Sequence, residues 1–141
     1  MTEIIFPVKL KLRIDWGEVD IFGHVNNVSI FKYIQAARIK YIEKTGLTEM
    51  YKESKIGPTL ASCKCEFRKP LFYPGQITIR TRVDSVKNTS FCIYHQIMDD
   101  KNQVSAEAQD IIVVFDFDRN KKTQIPQKVR RRIEKLENRT F

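Results

Sequence analysis

The chain has 141 residues, 42% of them hydrophobic and 30% charged, with five Gly and five Pro. This balance is typical of one globular domain, here residues 1–141, and excludes disordered and fibrous proteins. No apolar run approaches the roughly 18 residues that a membrane-spanning helix needs. The first residues also lack the basic flank and apolar stretch of a signal peptide, so we expect a soluble cytoplasmic protein.

The net charge of +8 is concentrated in a basic C-terminal extension, residues 119–141. This segment has nine Lys or Arg residues against two Glu residues, which gives it +7 and leaves +1 for residues 1–118. Surfaces that bind single-stranded nucleic acid interleave cations with aromatic rings, and the extension has only Phe141. Nucleic acid is therefore a disfavoured partner.

The first predicted elements are a strand and a long helix. Residues 8–14 alternate apolar and polar side chains, as a strand with one buried face does. Residues 16–27 have no periodicity, and a helical pattern follows over residues 28–44, with Gly46 at the position favoured for a helix C-terminus. Asn26 or Asn27 is the natural N-terminal cap.

This helix has so narrow a polar stripe that we expect other elements to surround it on several sides. At about 100° per residue, the stripe contains Ser29, Lys32, Lys40, Glu43 and Lys44. Arg38 lies opposite, in the apolar arc with Phe31 and Ile39, and a buried guanidinium needs a carboxylate. Asp110, in an apolar row of the last strand, and Asp20 are the candidates; the alternative is that these groups reach solvent at an edge.

The remaining pattern predicts a short helical stretch over 47–57, strands over 59–68, 76–86, 90–98 and 104–117, and a helix from Pro126 to 138. The two shortest connections, residues 87–89 and 99–102, consist of turn residues and predict antiparallel hairpins. The fold class is therefore α+β, with a five-stranded antiparallel sheet wrapped around a long central helix and a short C-terminal helix.

The three cysteines do not form a recognisable site. Cys63, Cys65 and Cys92 are an odd number, and the first two are separated by one residue where zinc and redox pairs have two or more. We interpret them as small buried apolar residues and expect no metal site.

The segment most suggestive of chemistry is the loop before the helix, which contains Asp20, His24 and Asn27. A helix N-terminus offers free amides that polarise a carbonyl oxygen, and a nearby carboxylate can act as nucleophile or as general base on water. These are the parts of a hydrolase for activated acyl groups. The same residues are also ordinary in turns and caps, so a purely structural role is an open alternative.

A run of residues in this region resembles the hotdog-fold acyl-CoA thioesterases of the 4-hydroxybenzoyl-CoA thioesterase family. The run is Asp15-Trp16-Gly17-Glu18-Val19-Asp20-Ile21-Phe22-Gly23-His24-Val25-Asn26-Asn27, followed by Ala37-Arg38, Phe67-x-x-Pro70 and Tyr73-Pro74-Gly75. The resemblance covers about residues 8–118 and implies a hotdog fold. It matches Asp20 to the catalytic aspartate and Asn27 to the amide that polarises the thioester carbonyl, with His24 as a further candidate.

The resemblance also implies partners. An acyl-CoA ester is the substrate, no separate cofactor is needed because coenzyme A is part of substrate and product, and the active site lies at the interface of a homodimer or of a tetramer of two dimers. Contacts to coenzyme A match Lys87, Ser90, Arg119, Lys121 and Lys122. A solvated turn and tail is the open alternative for these five.

Two other functions are compatible with this fold. Hotdog dehydratases and hydratases use a histidine with an acid inside the central helix, and His24 keeps that alternative open although the helix has only Glu43, near its far end. A non-catalytic acyl-CoA or nucleic-acid binding module is the other, suggested by the basic extension. Acyl chain length and type are not fixed by these motifs.

Overall fold

The computed structural model describes residues 5–141, which form one β-sheet with α-helices packed on it. The strands are β1 (Val8–Arg13), β2 (Ile56–Phe67), β3 (Gln76–Val86), β4 (Ser90–Met98), β5 (Val104–Asp116) and β6 (Lys121–Lys122). The helices are α1 (Asn27–Thr45), α2 (Leu47–Ser54) and α3 (Gln127–Glu137), and Trp16–Glu18 form one 3-10 turn. None of the described helices is both long enough and apolar enough to cross a membrane.

The sheet is antiparallel throughout and has the order β1-β3-β4-β5-β2, with β6 paired to β5. The two predicted hairpins, β3 with β4 and β4 with β5, are confirmed. The prediction of five strands was one short: Lys121 and Lys122, in the basic extension, pair as a short strand with Asp116 and Phe115. A two-residue strand has no periodicity that the sequence could reveal.

Helix α1 has the ends that the sequence predicts. Asn26 is the cap, because its Oδ1 accepts a hydrogen bond from the Ser29 amide at 2.8 Å. Gly46 ends the helix at φ +86°, in the left-handed region that glycine adopts without strain.

Helix α1 contacts several other elements, as expected, but part of its predicted buried arc is exposed. Helix α1 packs mainly on β3 and β1 and contacts α2 and α3. Ser29, assigned to the polar stripe, is buried, whereas Phe31 and Ile39, assigned to the buried arc, are 39% and 48% exposed. A helical wheel shows which residues share a face but not which face the sheet covers, so it misplaced the solvent side.

The predicted pairing of Arg38 is confirmed with Asp110, not with Asp20. Arg38 Nε donates to Asp110 Oδ2 at 2.8 Å, and the same oxygen lies 2.7 Å from His95 Nε2, whose Nδ1 lies 2.8 Å from Thr81 Oγ1. Burial raises the pKa of Asp110, but His95 and Arg38 outweigh it and hold the pKa at about 2. The buried carboxylate is thus a charged link between α1, β4 and β5.

The cysteines are free thiols and half-buried, so they are less buried than predicted. Burial raises the pKa of Cys63 to about 12 and of Cys65 to about 11. Both thiols are therefore protonated at neutral pH, a state in which they are poor nucleophiles and poor metal ligands. This favours the packing role.

The basic extension is largely folded onto the domain. Val129 and Ile133 of α3 are buried in the cluster that contains Tyr41 and Phe91, as the helical spacing predicts. The sequence did not predict that Glu137 is buried as well, where it accepts hydrogen bonds from Tyr41 Oη at 2.5 Å and from the Val83 amide at 2.9 Å.

Candidate active site

The loop that contains Asp20 is a tight turn held by its own backbone. The Asp20 amide donates to the His24 carbonyl at 2.8 Å, and the Gly23 amide donates to the Asp20 carbonyl at 3.0 Å. Gly23 has φ +81°, a conformation that a side chain would disfavour. The turn therefore brings Asp20 and His24 close together.

One oxygen of the Asp20 carboxylate is occupied by the turn. Oδ1 accepts hydrogen bonds from the amides of Phe22 at 2.9 Å and His24 at 3.2 Å. The other oxygen, Oδ2, accepts none from residues 5–141, and the side chain is exposed. Two amides at Oδ1 hold the carboxylate in one orientation, and Oδ2 keeps its capacity to accept a hydrogen bond.

His24 and Val25 join this turn to the segment after β2. His24 forms an isolated β-bridge with Phe72, and their rings meet edge to face with centroids 5.0 Å apart. The Val25 amide donates to the Leu71 carbonyl at 2.8 Å. His24 is thus positioned by both its backbone and its ring.

The N-terminus of α1 follows directly. Its cap Asn26 takes up the Ser29 amide through its side chain and the Ile30 amide through its carbonyl, at 2.8 Å and 3.2 Å. The amides of Asn27 and Val28 are the first-turn donors left without an acceptor in the described chain. Together with the helix dipole, they make this end of α1 attractive to a developing negative charge.

A pocket of about 380 Å³ opens between these groups. Asp20, His24 and Asn27 all line it, and Ile30, Leu71 and Ala106 supply apolar wall. The structure therefore brings together the three residues that the sequence singled out as catalytic candidates. A carboxylate with a free oxygen and a residue with a free helix amide in the wall of one pocket can attack and polarise a carbonyl group.

Glu18 is a part of this region that sequence reasoning missed. Its side chain is 10% exposed and accepts hydrogen bonds from Tyr33 Oη at 2.7 Å and the Asp15 amide at 2.8 Å, with Lys32 Nζ at 3.3 Å. Burial raises the pKa of Glu18, but these hydrogen bonds together hold it below 4.5. The one available signal was the capping-box spacing from Asp15 to Glu18.

Comparison with protein families shows the superfamily of the chain. Residues 14–133 match the model of the thioesterase-like superfamily. The chain belongs to that superfamily. The match includes the Asp20 turn, α1 and the strands β2 to β6, whereas β1 lies just before it. It confirms the broad resemblance; the narrower 4-hydroxybenzoyl-CoA family stays a prediction.

Solved structures of similar shape agree with a hotdog fold for this superfamily member. A Thermus thermophilus thioesterase complexed with coenzyme A and Zn has a TM-score of 0.85 at 20% identity, over 96% of this chain and 98% of that one. A DHNA-CoA thioesterase from Staphylococcus aureus has a TM-score of 0.79 at 17% identity, over 92% of both chains. At these identities the likeness shows the fold alone.

A curated relative in sequence is the YsmA protein of Bacillus subtilis, which is 26% identical over 85 residues. The alignment spans 60% of this chain and 56% of YsmA, so the chain matches little more than half of that relative's length.

The five residues matched to coenzyme A lie at the other end of the sheet from the pocket. Lys87 and Ser90 flank the β3–β4 turn, where the Lys87 amide donates to the Ser90 carbonyl at 2.7 Å. Arg130 donates to the Lys87 carbonyl at 2.6 Å, and β6 pairs with the last residues of β5. These residues therefore form one far-end cluster: Lys87, Ser90, Arg119, Lys121 and Lys122.

The length of β5 separates the far-end cluster from the pocket. Ala106 lines the pocket and Asp116 pairs with Lys121, ten residues further on. At roughly 3.3 Å per residue the two points are about 33 Å apart. One protomer does not place its own far-end cluster beside its own Asp20.

Proposed function

We propose that this protein is an acyl-CoA thioesterase that hydrolyses an acyl-CoA ester to a free acid and coenzyme A. The observation that carries the proposal is the pocket lined by both Asp20, whose Oδ2 is free, and Asn27, whose backbone amide is free. Membership of the thioesterase-like superfamily supports the same chemistry. A thioester is already activated, so one carboxylate and a set of amide donors suffice.

Two routes use the same atoms. In the first, Asp20 Oδ2 attacks the thioester carbon, the C–S bond breaks, and water then hydrolyses the acyl anhydride while the leaving thiolate takes up a proton. In the second, Asp20 accepts a proton from a water that attacks directly, and the C–S bond breaks as the carbonyl re-forms. In both, the carbonyl oxygen gains negative charge opposite the Asn27 amide, and His24 orients the loop and substrate.

The acid that a hotdog dehydratase requires inside the helix is missing from the neighbourhood of the pocket. The acidic residue of α1 is Glu43, which is exposed sixteen residues after Asn27. At about 1.5 Å per residue it lies roughly 24 Å along the helix from the pocket. This supports hydrolysis over proton transfer at the carbons beside the carbonyl.

We also propose that the active form is a homodimer joined through β2. Within the described chain the twelve-residue strand β2 pairs on one side only, with β5. Its other side is an open edge, where the backbone groups that point away from β5 have no strand partner. Both β2 and α1 carry exposed apolar side chains, and the rings of Phe31 and Phe67 join the two elements with centroids 6.3 Å apart. These exposed residues are Leu60, Phe67, Val28, Phe31 and Ile39. A second copy would cover both the edge and these side chains.

Dimerisation of this kind would complete the coenzyme A site. A two-fold axis through the middle of β2 sets the Ile56 end of one copy beside the Phe67 end of the other. Lys55 and the loop after β5 lie at the Ile56 end, where the Phe117 amide donates to the Lys55 carbonyl at 3.0 Å. Arg119, Lys121 and Lys122 of one protomer would then approach the pocket of its partner and bind the phosphates of coenzyme A.

The activity is tested by measuring thiol release from short, medium and long aliphatic acyl-CoA esters and from benzoyl-type esters. Wild type is expected to hydrolyse at least one of them, and Asp20→Asn to lose about a hundredfold or more in kcat while staying folded. An inert wild type that still binds acyl-CoA would replace the proposal with a non-catalytic binding module. Full activity in Asp20→Asn would overturn the assignment of Asp20.

The shared site is tested by mixing two impaired variants, each of which lacks a different part of the site. Asp20→Asn protomers keep their lysines, and Lys121→Ala/Lys122→Ala protomers keep Asp20, so a mixed dimer contains one site with both parts. Refolding an equal mixture should restore up to about a quarter of wild-type activity at a substrate concentration where both parents are impaired. No restoration would mean that the lysines and Asp20 do not meet across an interface.

A further inference from the structure

A buried carboxylate lies behind the proposed active-site loop and contacts both the loop and the helix. Glu18 Oε1 accepts from Tyr33 Oη of α1 and from the Asp15 amide, and Oε2 accepts from Lys32 Nζ at 3.3 Å. Tyr33 is 3% exposed. The carboxylate therefore joins the start of the loop to the second turn of the helix.

The backbone of the same residue holds the helix cap. The Glu18 carbonyl accepts from the Asn26 amide at 2.9 Å, and Asn26 in turn caps α1 through its side chain. Val19 forms an isolated β-bridge with Val25, which closes the segment that contains Asp20. Glu18 thus lies at the base of a closed loop that contains Asp20 and leads into Asn27.

Glu18 is a buried side-chain anchor of the loop, beside the backbone hydrogen bonds and the His24–Phe72 contact. Its tip is exposed, with Ile21 at 93% and Phe22 at 76% of their full accessibility. The distance between a nucleophile and a carbonyl-polarising amide must be held closely, and an error of about 1 Å can cost on the order of a hundredfold in rate. A hydrogen-bonded carboxylate in the interior is the kind of support that can hold it.

We propose that Glu18, through its hydrogen bond with Tyr33, is a positioning residue that fixes Asp20 relative to the N-terminus of α1. It does not touch the substrate; it acts by keeping the loop and the helix as one rigid unit. The catalytic part of this inference rests on the proposed thioesterase function, whereas the structural part does not.

The chain offers a matched control at the opposite end of the same helix. Tyr41 of α1 is also buried and also donates its hydroxyl to a buried glutamate, Glu137. Tyr33→Phe and Tyr41→Phe therefore delete the same kind of bond in the same helix, eight residues apart. Only the first bond belongs to the loop that contains Asp20.

The test compares these two variants by steady-state kinetics, thermal unfolding and amide hydrogen exchange. Tyr33→Phe is expected to lower kcat about tenfold or more with KM within about threefold, whereas Tyr41→Phe keeps kcat within about twofold at a similar shift in Tm. Glu18→Gln keeps one acceptor oxygen, so its kcat should lie between wild type and Glu18→Ala. Equal kcat losses in the two Tyr variants would overturn the positioning role.

Hydrogen exchange separates this inference from the proposed function. In Tyr33→Phe the amides of Asp20, Gly23 and Asn26 should exchange about tenfold faster, while the Val83 amide at the Glu137 end stays at its wild-type rate. This holds whether or not the wild type hydrolyses any ester. Unchanged exchange in the loop would overturn the inference, even with an active enzyme.

Discussion

The two ends of α1 are secured by the same pair of residue types and yet differ in what they leave open. At the C-terminal end, Tyr41 and Glu137 are enclosed by α3 and its core cluster. At the N-terminal end, Glu18 binds Tyr33 of the helix, and Asn27, whose backbone amide is free, lines a pocket. The C-terminal end of the helix is enclosed and contributes to stability. The N-terminal end is also held in place, but it keeps a free backbone amide at a pocket.

The two glutamates, Glu137 and Glu18, also differ in the direction in which their surroundings shift the carboxyl pKa. Burial raises the pKa of Glu137 above 4.5, against the hydrogen bonds from Tyr41 and the Val83 amide. For Glu18 the hydrogen bonds outweigh burial, and the pKa lies below 4.5. The difference teaches that an identical Tyr–Glu pair favours a charged or a neutral carboxyl depending on how much water and how many donors surround it.

The largest effect is expected from a cavity at the closed end. Ile133 is fully buried in the α3 cluster, and Ile133→Ala should lower the free energy of unfolding by about 4 kcal/mol. Chemical denaturation measures this. If the two ends are independent, kcat of the remaining folded protein is unchanged; a matching loss of kcat would show that the closed end controls the pocket.

A somewhat smaller effect is expected midway along the helix. Arg38→Met leaves the buried Asp110 without its guanidinium and should cost on the order of 3 kcal/mol in unfolding free energy. Adding Asp110→Asn removes the stranded charge and should recover part of that loss, in a double-mutant cycle. Wild-type stability in Arg38→Met would contradict the pairing between helix and sheet.

The sequence could predict those contacts whose residues are close together in the chain or carry a clear pattern. Asp20, His24 and Asn27 lie within eight residues of one another, so a motif and a helix start sufficed to group them, and the Arg38–Asp110 pair followed from two charges in apolar rows. Glu18 with Tyr33 and Glu137 with Tyr41 depend on how distant segments pack. The exposure of Phe31 and Ile39 depends on which face of α1 the sheet leaves uncovered.

At the open end, removal of the cap should have a modest effect on stability. Asn26→Ala deletes the hydrogen bond to the Ser29 amide and should cost about 1 kcal/mol of unfolding free energy. Because the cap adjoins the Asn27 amide, kcat should fall by more than this small loss of folded protein explains. Denaturation and kinetics on one sample decide it, and an unchanged kcat would argue against a role of the helix N-terminus.

The smallest expected effects are opposite responses to pH. The lowered pKa of Glu18 means that its stabilisation is present above about pH 4.5 and is lost as the pH falls through the folded-state pKa. The raised pKa of Glu137 means that its contribution is complete below about pH 4.5 and is lost as the pH rises through its folded-state value. Unfolding curves at several pH values should show Glu18→Gln flatter than wild type on the acid side and Glu137→Gln flatter above pH 4.5.

The central claim is that the free oxygen of Asp20, and not merely its turn, carries the reaction. Asp99 provides the reference, because its Oδ1 accepts from the amides of Lys101 and Gln103, both at 2.9 Å, in the same spacing as Asp20 with Phe22 and His24. The decisive measurement is kcat for Asp20→Asn and Asp99→Asn on the ester that wild type hydrolyses fastest. The account predicts a loss of about a hundredfold or more for Asp20→Asn and wild-type turnover for Asp99→Asn; equal values for the two variants would contradict it.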